Sequence, residues 1–204
     1  MANSQQLSDT SEKNFLIAVD GGANNLFLYR IIPDIIIGDM DSIKPEVLEY
    51  YKPLSIIKTY PVHKDQTDTE LALNWCIEKK IKEIIFINSL HGDIAHSLGV
   101  LMLLFKAREN HIKAKIFNFS ELIMLIPQKW TYHGHRGKKI SLIPLTEVVS
   151  KVKTTGLEYS LHEEDLFRNS TRGLSNVFID EEIKISYESG ELLGVIEYSL
   201  GEIV

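Results

Sequence analysis

Apolar residues fall into short unbroken runs in the first half of the chain and into shorter, more interrupted pieces in the second. Phe15-Leu16-Ile17-Ala18-Val19, Ile35-Ile36-Ile37 and the stretch 84–87 are continuous apolar runs of strand length, as expected of strands covered on both faces. Residues 55–59 and 114–119 read as further strands. Between them, residues 23–29, 45–51, 67–80 and 97–110 read as helices, the second with Pro45 near its start. Strand and helix alternating in this way predicts a mainly parallel sheet with helices on its faces.

After about residue 120 the texture changes. Residues 122–126, 139–145, 177–179, 183–187 and 192–198 read as short strands, separated by Gly-, Ser- and Asn-containing turns. Glu188-Ser189-Gly190-Glu191 between two of them predicts a β-hairpin. The division expected is an α/β domain over residues 1–120 and a small antiparallel β domain over 121–204. No repeat or Gly/Ser linker separates them, so the halves are expected to pack closely.

Bulk composition narrows the class. At 204 residues, 44% hydrophobic and 25% charged, the chain can build a real core. Its net charge of −6 comes with no cluster of Lys and Arg, which argues against a sequence-independent nucleic-acid binder. Cys76 is the one cysteine, so no intramolecular disulfide can form and a reducing compartment is expected. The first residues are polar and lack the apolar core of a signal peptide. The apolar run 98–105 is too short to span a bilayer. The expectation is a soluble cytoplasmic protein without a membrane or nucleic-acid partner.

Candidate chemistry gathers where the predicted parallel strands end, the edge at which ligands of open α/β sheets collect. In Gly38-Asp39-Met40-Asp41-Ser42, two carboxylates follow a buried strand. In an extended chain they would share one side at about 6.5 Å, a spacing that invites a cation such as magnesium. A polar turn is the competing reading. Asp20-Gly21-Gly22-Ala23-Asn24 could present backbone N–H groups to an anion, or be a tight turn. Lys64-Asp65-Gln66-Thr67-Asp68-Thr69-Glu70 opens a helix, and Thr67 with Glu70 matches a capping box. Capping does not require Asp65 and Asp68 as well, so a metal and phosphate site is the favoured reading. His133-Gly134-His135 has no third ligand nearby in sequence and reads as a turn. Cys76 and Trp75 read as core, Ser97 as a helix cap, and Trp130 as either core or a ligand platform.

DGGAN (20–24), PDIIIGDMDS (33–42) and KDQTDTELAL (64–73) resemble, in order and spacing, successive signatures of the thiamine pyrophosphokinase family. ISLIPL (140–145), TTGLEYSL (154–161) and GLSN (173–176) resemble its second domain more loosely. The resemblance covers nearly the whole chain. It implies a Rossmann-like three-layer nucleotide-binding catalytic domain followed by a thiamine-binding β-sandwich. It implies transfer of the pyrophosphoryl group of ATP to thiamine with release of AMP, and a homodimer whose active site lies between subunits. By position, Asp39, Asp41, Asp65 and Asp68 would hold Mg2+ and the phosphates, with Asp68 a candidate general base. Gly21, Gly22, His96 and Ser97 would lie on the ATP side. Gln66, Thr67, Ser175 and Asn176 would lie on the thiamine side.

Two departures qualify that picture. Where the family carries Gly-Gly-Arg-x-Asp-His, this chain has His91-Gly92-Asp93-Ile94-Ala95-His96, with Asp93 in place of Arg and Ala95 in place of Asp. An anion near a triphosphate repels it and forfeits a charge-assisted hydrogen bond; Arg108 or Lys106 is a candidate to compensate. Family members also begin with a strand before a loop resembling Ala2-Asn3-Ser4, so one sheet strand is expected to be missing or supplied otherwise. The alternatives are a catalytically weak relative that binds thiamine or nucleotide, and a pyrophosphokinase for another heterocyclic alcohol such as a hydroxymethylpterin. GLSN argues against the latter.

Overall fold

The computed structural model describes residues 14–63, 65–90 and 92–198. The loop at residues 2–4, where one sheet strand is expected to be missing or supplied otherwise, lies outside them, as do Lys64 and His91. By its internal contacts the chain divides after Lys80, and each unit is described by itself.

The first unit holds β1 (Ile17–Val19), α1 (Gly22–Leu28), β2 (Ile35–Gly38), α2 (Pro45–Tyr51), β3 (Ile56–Thr59) and α3 (Asp68–Glu78). The strands pair in parallel in the order β1-β2-β3, with Val19 opposite Ile37 and Gly38 opposite Thr59. β2 is buried along its whole length, which is why its sequence is an unbroken isoleucine run. α1 and α2 pack together through a core of Ala18, Ala23, Ile36, Val47 and Tyr51. α3 packs on β1 and β2 and buries Leu71, Leu73 and Trp75.

The second unit begins with β4 (Glu83–Ile87), α4 (Ile94–Glu109) and β5 (Lys113–Asn118). Eight strands follow: β6 (Glu121–Ile126), β7 (Lys129–His133), β8 (Lys139–Pro144), β9 (Val148–Thr155), β10 (His162–Phe167), β11 (Asn176–Val177), β12 (Glu182–Ser186) and β13 (Leu192–Glu197). They form a mixed six-stranded sheet, β11-β8-β13-β6-β5-β4, and an antiparallel four-stranded one, β10-β9-β12-β7. One core joins the two sheets, with Leu122, Ile140, Leu142 and Leu192 from the first meeting Val149, Val152, Leu166 and Ile185 from the second.

Three expectations are corrected here. β4 and β5 are parallel to each other, yet they belong to the mixed sheet: a tight turn after Asn118, with Phe119 at φ +54°, returns the chain antiparallel as β6. Residues 188–191 do not close a hairpin. β12 pairs with β7 and β9, whereas β13 pairs with β6 and β8, so this segment crosses between the sheets. It is tied to β9 on the way, the Ser150 amide donating to Ser189 O at 3.0 Å. Finally, β7, β9 and β10 have no counterpart in the hydrophobic pattern. β9 carries a positive-φ residue at Lys151, which puts buried Val149 and Val152 three apart rather than two. β10, His-Glu-Glu-Asp-Leu-Phe, is an edge strand with mostly polar, exposed positions.

Candidate active site

Two strand ends and a helix start bring three carboxylates together. Asp20 leaves β1 with φ +41° and its amide donates to Ile37 O at 2.8 Å. Asp39 follows β2 directly, and Asp68 is the first residue of α3. One carboxylate oxygen from each lies within 4.8 Å of the others. All three residues are half-buried, and Asp20 Oδ1 is buried without a hydrogen-bond partner among the described residues. Each pair of such charges repels by about 1 kcal/mol in water and about 4 kcal/mol at the effective dielectric of a protein surface. A cation offsets that repulsion. The donor set is all carboxylate oxygen, with neither imidazole nor thiolate, which suits magnesium rather than zinc.

Asp20 joins this cluster although the sequence gives it no such role, because DGG alone has no ligand spacing. Its signal was its place at the end of the first parallel strand. Asp41, by contrast, stands outside the cluster. Met40 takes φ +69°, so the chain turns instead of staying extended, and Asp39 and Asp41 do not share one side. Asp41 is exposed and its Oδ1 accepts the Ser42 hydroxyl at 2.9 Å. Its amide donates to Asp39 Oδ1 at 3.3 Å, fixing that carboxylate. Asp65 is exposed and also outside the cluster.

The surrounding loops are tied locally. Asn24 Nδ2 donates to Ser42 O at 2.8 Å and Asn24 Oδ1 accepts from the Lys44 amide at 3.0 Å, joining the first two signatures. Gly21 precedes α1, where a Cβ would stand 3.3 Å from that of Ser42, whereas the space around Gly22 is open. Thr67 caps α3, its Oγ1 accepting from the Glu70 amide at 3.2 Å. The reciprocal half of the box is diverted: the Glu70 carboxylate accepts from Gln66 Nε2 at 3.2 Å, which holds Gln66 on the first turn.

In the second unit, α4 starts earlier than its apolar pattern, because Asp93 caps it. Asp93 Oδ1 accepts from the His96 amide at 2.7 Å. Ser97 is therefore not the cap; its hydroxyl donates to Asp93 O at 3.2 Å. Arg108 and Lys106 are not placed to compensate for Asp93. They lie in the last turn of α4, about 20 Å along the helix, and Arg108 is engaged by Glu191 at 2.5 and 2.8 Å. Ser175 has φ +56° and its amide donates to Ser141 Oγ at 3.0 Å. Asn176 is buried at 8% exposure. His133 faces Glu182 at 3.6 Å and joins no metal-type cluster among the described residues. Trp130 stacks on Tyr132 at 5.0 Å against the core, and burial pushes the Cys76 thiol up to about 11.

Comparison with known proteins places this arrangement. Residues 7–116 match the family described as thiamin pyrophosphokinase, catalytic domain, and residues 129–192 match thiamin pyrophosphokinase, vitamin B1 binding domain. The chain belongs to the thiamine pyrophosphokinase family. Among relatives, the thiamine pyrophosphokinase of Bacillus subtilis (strain 168) is 32% identical over 187 residues, spanning 90% of this chain and 87% of that one. The crystal structure of the thiamine pyrophosphokinase from Bacillus subtilis superposes with a TM-score of 0.83 at 29% identity, covering 94% of this chain and 91% of that one. The thiamin pyrophosphokinase from Candida albicans shares the fold, with a TM-score of 0.82 at 17% identity, covering 92% of this chain and 82% of that one. Among the described residues, no helix of this family member is long and apolar enough to cross a membrane.

Proposed function

We propose that this chain is a thiamine pyrophosphokinase, moving the pyrophosphoryl group of ATP onto the hydroxyl of thiamine and releasing AMP. The convergence of Asp20, Asp39 and Asp68 carries this reading. These three residues would hold Mg2+, which when bound neutralises charge on the phosphate oxygens. Asp41 and Asp65, both exposed, are assigned to the magnesium and phosphate side by their place in the sequence signatures. Gly21 and Gly22, the latter with open space around it, are assigned to the nucleotide, as are His96 and Ser97 in the first turns of α4. Gln66, Thr67, Ser175 and Asn176 belong to the thiamine side. Transfer of this kind depends mainly on positioning the hydroxyl against the phosphorus and on balancing charge.

Residues 1–120 serve as the catalytic domain, related to the Rossmann-like three-layer plan, and residues 121–204 as the thiamine-binding sandwich. The working unit is a homodimer with its active site between subunits, in the cytoplasm, where one unpaired cysteine is no liability.

Purified protein incubated with thiamine, ATP and Mg2+ should form thiamine diphosphate and AMP in equal amounts, and Asp39→Ala should abolish both. A second reading, a binding protein with little turnover, draws on Asp93 and Ala95. Folded protein that binds thiamine and ATP but makes neither product would establish it instead.

A further inference from the structure

We infer that the α1–β2 and α2–β3 connections of the first unit form a face on which a second copy of this chain docks, and that this face is separate from the catalytic site. Leu28 and Tyr29, at the end of α1, are 74% and 77% exposed, and Ile31, Ile32, Tyr50 and Leu54 are exposed with them. Turns ordinarily use Gly, Asn, Asp and Ser, yet the α1–β2 connection runs Tyr29-Arg30-Ile31-Ile32. Arg30 takes φ +56° just past α1, a position where glycine is usual. Even the turn residue keeps a side chain here.

One framework holds both connections. The Tyr51 hydroxyl donates to Ile31 O at 2.7 Å, and the Ser55 hydroxyl donates to Pro33 O at 2.6 Å. From beneath, the Phe27 ring stands 5.1 Å from that of Tyr50. The face is thus preformed, and a partner has little left to order. Its place is also settled. The three strands are parallel, and Asp20 and Asp39 follow the C-terminal ends of β1 and β2, whereas these residues precede β2 and β3. The face and the acidic cluster lie at opposite edges of one sheet, so docking here leaves the cluster open.

Area and charge select the occupant. At roughly 150–250 Å2 for a large side chain, the exposed fractions of these six leave roughly 600 Å2 of apolar surface in water. The largest such patch on a monomer is roughly 300–600 Å2, and a stable interface buries roughly 800 Å2 on each partner. With its rim, the face is large enough for one. That rim carries both signs, Arg30 and Lys52 beside Glu49, all exposed. A surface meeting its own copy about a two-fold axis must complement itself, which a mixed rim permits; an anionic lipid surface would call for cations alone. Tyrosine and arginine are also the residues enriched at protein interfaces.

Light scattering on the full chain over a dilution series tests this, with Tyr29→Glu and Leu54→Glu as variants at two exposed positions. Each should halve the mass of the unmodified protein, with the far-UV spectrum unchanged and any turnover kept within twofold. A fall from tetramer to dimer supports the face together with the catalytic homodimer proposed above. A fall from dimer to monomer with turnover kept supports the face, while the reading of an active site between subunits falls. An unmodified protein that is monomeric, or a mass that neither variant changes, overturns the inference. Turnover lost together with the mass also overturns it, since the face would then be the catalytic interface. So does an unchanged mass with sedimentation on phosphatidylglycerol vesicles that Tyr29→Glu abolishes, because the occupant is then lipid.

Discussion

Gly38 and Asp20 compete for one small space at the ends of neighbouring parallel strands: a Cβ on Gly38 would lie 2.9 Å from the Cβ of Asp20. The missing side chain at position 38 is what allows Asp20 to stand close to Asp39. The metal-type cluster is therefore built as much by a glycine as by its acids.

Gly38→Ala should consequently disturb fold and site together. Forcing a methyl against fixed backbone costs about 1–3 kcal/mol, read as a lower urea midpoint, and the stabilisation by Mg2+ should shrink with it. Unchanged stability would mean that Asp20 can step aside freely.

Asp20→Asn removes one of three mutually repelling charges with almost no change of shape. Without Mg2+ its melting temperature should equal or exceed that of the unmodified protein. Added Mg2+ should raise the melting temperature of the unmodified protein but hardly that of the variant, and turnover should fall at least a hundredfold. An equal rise in both would remove Asp20 from the site.

Asp93 should prove structural. As the cap of α4, its replacement by Ala is expected to cost about 1 kcal/mol in chemical denaturation, whereas Ser should retain most of the stability. Arg, the family's residue at this position, should lose the cap like Ala, and its effect on the ATP KM can be read separately.

Cys76 is 5% exposed, and burial raises its thiol from 9.0 to about 11. A thiol reagent at pH 8 should label it only after unfolding. The sign for stability follows: the folded state holds the proton more tightly, so this contribution is complete below pH 9 and is lost as pH rises through 11. Cys76→Ala should flatten that part of the stability profile.

Much of the first unit was legible in the sequence. The isoleucine run of β2, Pro45 at the start of α2 and the Thr67 cap of α3 each encode their element locally. In the second unit the pattern failed where neighbours decide. β9 needs its irregularity at Lys151, and β10 is a polar edge held by β9. The 188–191 segment looks like a hairpin until its strands are seen in different sheets.

The sequence by itself determined the strands and helices of the first unit and which short segments carry acids, because burial periodicity and capping are properties of neighbours along the chain. Only the tertiary structure decided which acids meet. The β1–β2 register, with Val19 opposite Ile37, and the packing of α3 on both strands bring Asp20 and Asp68 to Asp39. A single positive φ at Met40 leaves Asp41 outside. Distances between carboxylates depend on register, docking and one backbone angle, and none of these is written in the spacing of residues.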